Sequence, residues 1–335
     1  MGNIFAERIE ALRALMTENG WDAVVITGSD PHSSEYPAPR WKQVEWLTGF
    51  TGEAGDVVIT ADHAGLWTDS RYFIQALDQL QGSGVELHKT RVPDAVPIPQ
   101  WLSSQARVVA VDGLCQSVSA VQELERALGE GAVVVDVPDL LQELWEDRPL
   151  IPVTPVTTLD VECFGGVPRV DKISWLRKWM LLQGYDKVLL SSLDEVAWML
   201  NVRGEDIEYN PLVISYLLVT QDYVKWFVKK DISGGESDPD TADSFDELQM
   251  DGVDVEDYDA VFFALSDFGE DAPGKIFIDP STLNSYIFKY ICGCYPEDAV
   301  VCGTSPVILE KAVKVPSEIE NLRQTYIDDG VAMIQ

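Results

Sequence analysis

An internal repeat constrains the fold of this chain more than any other feature. Residues 9–26 align without gaps on residues 173–190, and seven of these 18 positions are identical at a constant offset of 164. Ordinary residue usage gives about one identity in a random register of this length. Each copy predicts a helix with apolar residues three or four apart, a stop at Gly20 or Gly184, and a short strand, which is β-branched in the first copy. The chain therefore contains two related folding units.

Helices and strands alternate along both halves of the chain, which predicts the α/β fold class. Prolines in the stretch 148–156, with the sequence RPLIPVTPV, interrupt helices and strand ladders alike. We therefore predict a first domain at residues 1–150, a linker at 151–156 and a second domain at 157–313.

The pattern changes after the second domain, where residues 314–335 predict a single helix. Ser317 and Glu320 have the spacing of a capping box. The apolar positions of the helix fall on one face: Ile319, Leu322, Tyr326 and Met333. Because the sequence ends before this face meets a partner, we expect 314–335 to be the first helix of a third domain.

The charge balance argues against nucleic acids and anionic membranes as partners. The chain has 24 Lys and Arg against 56 Asp and Glu, a formal net charge of −32, whereas phosphate backbones are bound by clustered cations. Fifteen acidic residues fall in 231–274, which we interpret as a solvated acidic face and loop, since the DxDxDG spacing of a calcium site is missing. The sequence has neither a signal peptide nor a spanning apolar stretch, so we expect a cytoplasmic protein.

The cysteines and histidines offer few metal ligands. The five cysteines are unevenly spread, which is typical of reduced thiols: Cys115, Cys163, Cys292, Cys294 and Cys302. The last three lack a paired CxxC and a fourth ligand, so buried thiols are favoured over a metal site. The three histidines, His32, His63 and His88, all precede residue 89, so the second domain cannot supply a histidine ligand.

Two segments of the first half have alternative interpretations. The segment GFTGEAG at 49–55 could cradle an anion with backbone N–H groups, but a tight turn between helix and strand is favoured. The segment GSDPHSSEY at 28–36 follows the first strand, where open α/β sheets place functional loops. It is equally compatible with an ordinary surface loop, and composition does not decide.

Arg71 is the strongest candidate for a binding residue. It lies in WTDSRYF at 67–73, at the predicted start of a helix, and is flanked by Asp69 and two aromatic residues. Its guanidinium can form a forked pair with Asp69 or with a carboxylate of a peptide ligand. The spacing alone favours the structural pair with Asp69.

Five segments together resemble a known family. They are GSDPHSSEY, WLTGFTGEAGDVVITADHAGLWTDSRYF, WEDRP, LDEVAWMLNVRGEDIEYNP and EKAVKVPSEIENLRQTYIDDGVAM. In this order they resemble the N-terminal two-thirds of the large three-domain Xaa-Pro aminopeptidases, also called aminopeptidase P. The resemblance implies two tandem creatinase N-terminal-like domains with ribonuclease-H-like folds, followed by the start of a pita-bread catalytic domain.

The resemblance also implies an activity. Family members remove the N-terminal residue from peptides whose second residue is proline, and they use two manganese ions held by two Asp, one His and two Glu of the catalytic domain. Those ligand motifs do not occur here, so the resemblance supplies neither a metal ligand nor a catalytic residue, and we expect this chain alone to be inactive. The Xaa-Pro bond needs a dedicated enzyme because it is a tertiary amide that lacks an N–H group.

One site residue does carry over. Arg71 matches the arginine of the family motif WTDGRYF that reaches the bound peptide, with Ser70 in place of the motif's glycine. The resemblance therefore makes Arg71 a substrate-binding residue, and it implies a homodimer, since family members are commonly dimers. The alternative is a non-catalytic peptide- or protein-binding module, like the aminopeptidase-like N-terminal region of a histone chaperone.

Overall fold

The computed structural model describes residues 3–164, 166–230, 239–268 and 273–335, and the side chains of all of these except 162 and 163. Its contacts divide the chain into two compact units: Met1–Ile151 with Pro280–Tyr290, and Pro152–Asp279 with Ile291–Gln335. The sequence alone places 280–290 in the second domain, whereas the contacts assign this segment to the first unit.

The first unit contains a six-stranded mixed sheet. Its helices and strands are α1 (Ile4–Asn19), β1 (Ala23–Thr27), α2 (Gln43–Thr48), β2 (Gly55–Thr60), β3 (Ala64–Thr68), α3 (Phe73–Gln79), β4 (Glu86–Lys89), α4 (Ile98–Ser103), β5 (Val108–Val111), α5 (Val118–Leu128) and β6 (Val133–Asp136). The strand order is β4-β3-β2-β1-β5-β6. β2 pairs antiparallel with β1 and β3. The other three pairs, β3 with β4, β1 with β5 and β5 with β6, are parallel.

The second unit repeats this topology. Its helices and strands are β7 (Thr157–Thr158), α6 (Val161–Phe164), α7 (Arg169–Gln183), β8 (Lys187–Leu190), α8 (Leu193–Leu200), β9 (Val202–Arg203), β10 (Ser215–Thr220), β11 (Val224–Val228), α9 (Pro239–Met250), β12 (Val253–Asp257), α10 (Val261–Ser266), β13 (Ile276–Ile278), α11 (Ser285–Cys294, divided between the units), β14 (Val300–Cys302), α12 (Pro306–Ala312) and α13 (Pro316–Ile334). The strand order is β12-β11-β10-β8-β13-β14, with the same strand directions as in the first unit. The predicted α/β duplication is confirmed.

The repeated segments have equivalent roles in the two units. Leu12 of α1 and Leu176 of α7 are both fully buried, and they belong to separate apolar cores. Gly20 and Gly184 end these helices with φ values of 70° and 75°, a left-handed conformation that glycine adopts without steric cost. The period of apolar residues in the sequence therefore identified the buried face of each helix.

Helix α13 confirms the predicted C-terminal helix but corrects its cap. The helix begins at Pro316, and the Val315 N–H donates to Glu318 Oε2 at 2.8 Å. The predicted capping box of Ser317 and Glu320 is therefore wrong. The cause is Pro316, whose fixed φ and missing N–H suit the first helical position and move the start of the helix two residues earlier. None of the residues of α13 is buried.

The acidic stretch 231–274 is only partly described, since residues 231–238 and 269–272 lie outside the described ranges. In its described part, Glu247 and Asp251 each pair with Arg169 at 3.0 Å. The Arg169 side chain is only 4% exposed, so these two carboxylates neutralise a buried cation and are not merely a solvated face. Across the described ranges, no helix has the length and apolarity needed to cross a membrane.

Glu195 of α8 is a buried carboxyl group in the second unit. Ser305 Oγ donates to Glu195 Oε2 at 2.6 Å. Burial raises the pKa of Glu195 to about 7; Asp194 and Asp279 act in the same direction, whereas the bond from Ser305 and the charge of Lys311 oppose the rise. Because the folded-state pKa lies above the unfolded value, protonated Glu195 favours the folded state, and this contribution is lost as the pH rises from about 4.5 through about 7.

We expect Glu195→Gln to stabilise the second unit at pH 8 by about 1–2 kcal/mol, because the amide carries no buried charge. At pH 4.5 the variant and the parent chain should have similar free energies of unfolding. Denaturant unfolding at both pH values measures the difference, with Glu310→Gln on the exposed side of α12 as the control. A pH-independent difference between variant and parent would contradict the assignment.

Candidate functional site

Arg71 lies in the turn between β3 and α3. Asp69 follows the end of β3 and organises this turn, because its Oδ1 accepts the Arg71 N–H at 3.1 Å and its carbonyl accepts the Tyr72 N–H at 3.0 Å. Helix α3 begins at Phe73, so Arg71 precedes the helix and is not at its start. The side chain therefore projects from a turn that one carboxylate fixes.

Arg71 forms a forked pair with Asp69. Nε donates to Oδ1 at 3.0 Å, and Nη2 donates to Oδ2 at 2.8 Å. The hydrogen bond from Arg71 lowers the pKa of Asp69 to about 2, although burial acts in the opposite direction. The Asp69 side chain is 8% exposed and the Arg71 side chain 60% exposed. Nη1 of Arg71 makes no hydrogen bond or ion pair within the part of the chain that the structure describes, so an outer edge of the guanidinium is available to a ligand.

The surroundings of Arg71 also suit an anionic group. Arg91 approaches the same Asp69 carboxylate at 3.9 Å and is 83% exposed, so two cations share one buried carboxylate. The guanidinium of Arg71 lies 5.1 Å from the centre of the Tyr72 ring, and the Tyr72 hydroxyl donates to Glu53 at 3.2 Å. This arrangement can bind a carboxylate or a peptide carbonyl through charge-assisted hydrogen bonds.

A cavity of about 300 Å³ opens beside Asp69 and Arg91, which is at the lower end of the range for small-ligand pockets. Asp56 of β2 and Trp67 of β3 contribute to its lining. Burial raises the pKa of Asp56 to about 6, although the hydrogen bond from the Gly28 N–H opposes this. The cavity thus has one carboxyl group with a raised pKa, that of Asp56, close to one with a lowered pKa, that of Asp69.

The glycines of 49–55 allow tight packing of the loop beside Arg71. Gly49 ends α2 with φ of 79°. A Cβ at Gly52 would lie 2.2 Å from the Phe50 ring and 2.8 Å from the Tyr72 ring. These contacts match the tight turn favoured from sequence, and Gly52 lets the loop pack against the neighbour of Arg71.

The segment at 28–36 is partly buried and is not an ordinary surface loop. Asp30, Pro31 and His32 are buried. Asp30 Oδ1 accepts the backbone N–H groups of His32 and Ser34, both at 2.9 Å. The polar residues of this segment therefore stabilise its own turn, while Asp30 Oδ2 has no hydrogen-bond partner among the described residues.

The cysteines differ from the sequence prediction. Cys292 and Cys302 are exposed and Cys294 is half-buried, so the prediction of buried thiols is wrong for the first two. Cys302 is the last residue of β14, which is an edge strand of its sheet, and its side chain is exposed to solvent. Cys115 is buried as an apolar residue would be, and the side chain of Cys163 lies outside the described set.

The described residues do not form the metal site that the resemblance implies. That site needs two Asp, one His and two Glu, whereas the only group of three or more candidate ligands found in the described ranges is His63, Glu86 and His88. This different set was missed from sequence, because only the pairing of β3 with β4 brings its members together. Arg71 belongs to neither set.

Known families and proteins match the chain over nearly its whole length. The Creatinase/Prolidase N-terminal domain family matches residues 8–144 and again residues 147–318. A probable Xaa-Pro aminopeptidase P from Chaetomium globosum is 36% identical over 98% of this chain and 53% of its own length. Xaa-Pro aminopeptidase 1 from Dictyostelium discoideum is 31% identical over 100% of this chain and 53% of its own length.

A solved structure agrees with these relatives. The X-prolyl aminopeptidase from Caenorhabditis elegans, described as a cytosolic enzyme with a di-nuclear active site, superimposes with a TM-score of 0.87 at 29% identity. The match covers 98% of this chain and 55% of that protein. The chain spans about half the length of the curated relatives it matches. Because the family matches two consecutive segments that together include most of its residues, the chain belongs to the creatinase/prolidase N-terminal domain family and carries two copies of that domain.

Proposed function

We propose that this chain is the non-catalytic N-terminal part of an Xaa-Pro aminopeptidase, a hydrolase that removes the first residue of peptides with proline in second position. The observation that carries the proposal is the similarity to Xaa-Pro aminopeptidases over 98% of the chain, in sequence and in fold. On this proposal the two domains position the peptide, and the bond is broken elsewhere in the complete polypeptide.

Arg71 is the residue proposed to bind the peptide. The exposed edge of its guanidinium, the second cation at Arg91 and the cavity lined by Asp69 and Arg91 support this role. Asp69 acts as a positioning residue, because its carboxylate accepts two hydrogen bonds from the guanidinium and holds it in one orientation. The Asp69 side chain is itself shielded from solvent.

The catalytic domain, with two manganese ions, is proposed to follow α13. Helix α13 supports this, because its apolar side chains are exposed, with Tyr326 at 74% and Met333 at 81%. A following domain would cover them and recover the free energy of apolar burial. We further propose a cytoplasmic homodimer, in line with the cytosolic description of the similar Caenorhabditis elegans enzyme.

Peptide hydrolysis tests the proposal. The purified 335-residue chain with MnCl₂ should not release the first residue of an Arg-Pro-Pro peptide, whereas the polypeptide encoded by the complete gene should release it. A matched peptide with alanine in second position is the specificity control. Hydrolysis by the 335-residue chain would overturn the non-catalytic assignment. A complete polypeptide that binds the peptide without hydrolysing it would favour the binding module.

A further inference from the structure

Three side chains with metal-ligand chemistry converge at an edge of the first sheet. His63 directly precedes β3, while Glu86 and His88 lie on the edge strand β4. Their ligand atoms all lie within 4.8 Å of one another. The two Nε2 atoms of His63 and His88 are 3.0 Å apart.

The pairing of β3 with β4 produces this convergence. The strands are parallel, with Gly65 opposite Glu86 and Trp67 opposite His88. Residues two apart on a strand lie on the same face, so His63 shares a face with Gly65 and Trp67, as Glu86 does with His88. The turn before β3 and the edge strand thus present their side chains on one side of the sheet.

Gly65 leaves the space in which the imidazoles meet. A Cβ at this position would lie 2.7 Å from His63 Nε2 and 2.8 Å from His88 Cδ2. Any other residue would therefore have to displace these rings. A glycine in mid-strand costs stability relative to alanine, and here it permits the approach of two histidines.

Neighbouring groups hold the ring of His88 and the backbone of His63. The Trp67 ring stacks on His88 with 3.8 Å between centroids and 10° between planes, and Trp67 itself donates to the Val96 carbonyl at 3.1 Å. The backbone N–H of His63 donates to Thr60 Oγ1 at 3.0 Å. Because the backbone of one histidine and the ring of the other are held, little conformational entropy remains to be lost when a ligand binds.

Two imidazole nitrogens and one carboxylate form a ligand set of zinc sites that keep a fourth position open. Tetrahedral bonds of about 2.0–2.1 Å place two nitrogen ligands about 3.3 Å apart, close to the separation in this structure. We propose that His63, Glu86 and His88 bind one Zn²⁺ ion at the β4 edge of the first unit. The ion would join the turn before β3 to the edge strand and stabilise the folded state. This site does not depend on peptide hydrolysis or on Arg71.

Calorimetric titration of the chelator-treated chain with ZnCl₂ tests the proposal. We expect one equivalent of Zn²⁺ to bind and MgCl₂ to give no heat at the same concentration, since Mg²⁺ prefers an octahedral set of oxygens. His63→Gln and His88→Gln should each weaken Zn²⁺ binding by about 100-fold or more, and Glu86→Gln by about tenfold, since even outer partners of metal ligands are worth 10–100-fold.

The exposed thiols Cys292 and Cys302 are the rival zinc ligands. The double substitution Cys292→Ser with Cys302→Ser should therefore leave Zn²⁺ affinity unchanged. Unchanged binding in the histidine variants, or loss of binding only in the serine variant, would overturn the proposal. Absence of Zn²⁺ binding would leave the two histidines as a hydrogen-bonded pair and would also overturn it.

A measurement on the unsubstituted chain guards against misfolded variants. The chain has three histidines, so its imidazole NMR signals form three sets. ZnCl₂ should shift the two sets of His63 and His88 and leave that of the buried His32 in place. Shifts confined to His32, or to none of the three, would refute the site.

Discussion

Replacing Arg71 by alanine in the complete polypeptide is expected to lower kcat/KM for Xaa-Pro peptides by about 10- to 150-fold, which corresponds to about 1.5–3 kcal/mol for a hydrogen bond to a charged group. The loss should exceed that of Arg71→Lys, because lysine keeps the charge but not the planar fork. Steady-state kinetics on a short and a long Xaa-Pro peptide measure the effect. Arg126→Ala on the exposed side of α5 is the matched control and should leave the kinetics unchanged.

The same substitution also distinguishes binding from a purely structural role. Without Arg71 the largely buried Asp69 loses its fork and the main cause of its lowered pKa. A structural role alone would therefore lower the melting temperature of Arg71→Ala at neutral pH and leave kcat/KM intact. Unchanged kinetics on both peptides would contradict substrate binding by Arg71 and would leave the fold assignment untouched.

Leu12→Ala and Leu176→Ala are each expected to cost about 2–5 kcal/mol of stability, because both remove a fully buried leucine side chain and leave a cavity. The two leucines are equivalent in the repeat and lie in separate cores. Each substitution should therefore reduce the amide-exchange protection of its own unit. Leu182→Ala is the control on α7, since Leu182 is 83% exposed.

Hydrogen exchange resolved by peptide is the suitable measurement, because a chain with two compact units need not unfold in one transition. Leu12→Ala should expose amides of β1 and β2, and Leu176→Ala those of β8 and β10. Equal loss of protection in both units from either substitution would contradict two separate cores. A small effect of Leu176→Ala, similar to that of Leu182→Ala, would contradict its burial.

The sequence predicted the repeated helix and strand well, because apolar period and glycine stops are local signals. Leu12, Gly20 and their counterparts have the predicted roles. It predicted α13 but not its cap, since Pro316 determined the helix start more strongly than the spacing of Ser317 and Glu320. Local pattern thus identified helices and strands better than it identified their first residues.

The candidate sites depend on information that the sequence does not display locally. Asp69 and Arg71 are two residues apart, so their pairing could be foreseen. His63 and His88 are 25 residues apart, and only strand order and register place their rings together. The exposure of Cys292 and Cys302 also depends on which helix side and which sheet edge face solvent. These properties follow from tertiary packing.

The two β-hairpins at the centre of the duplication show how the copies have diverged. The turn in which Thr60 bonds to His63 recurs with Thr220 and Tyr223, at N···O distances of 2.8 and 2.9 Å. In the same register, Lys225 stands where the first copy has Gly65, and Lys229, paired with Asp259, stands where it has Asp69. An ancestral gene duplication would explain why the two copies share a backbone fold but carry different side chains at equivalent positions. The second copy thus shares the scaffold of the first, but it carries lysines at the described positions that correspond to Gly65 and Asp69, and its sequence has no histidine.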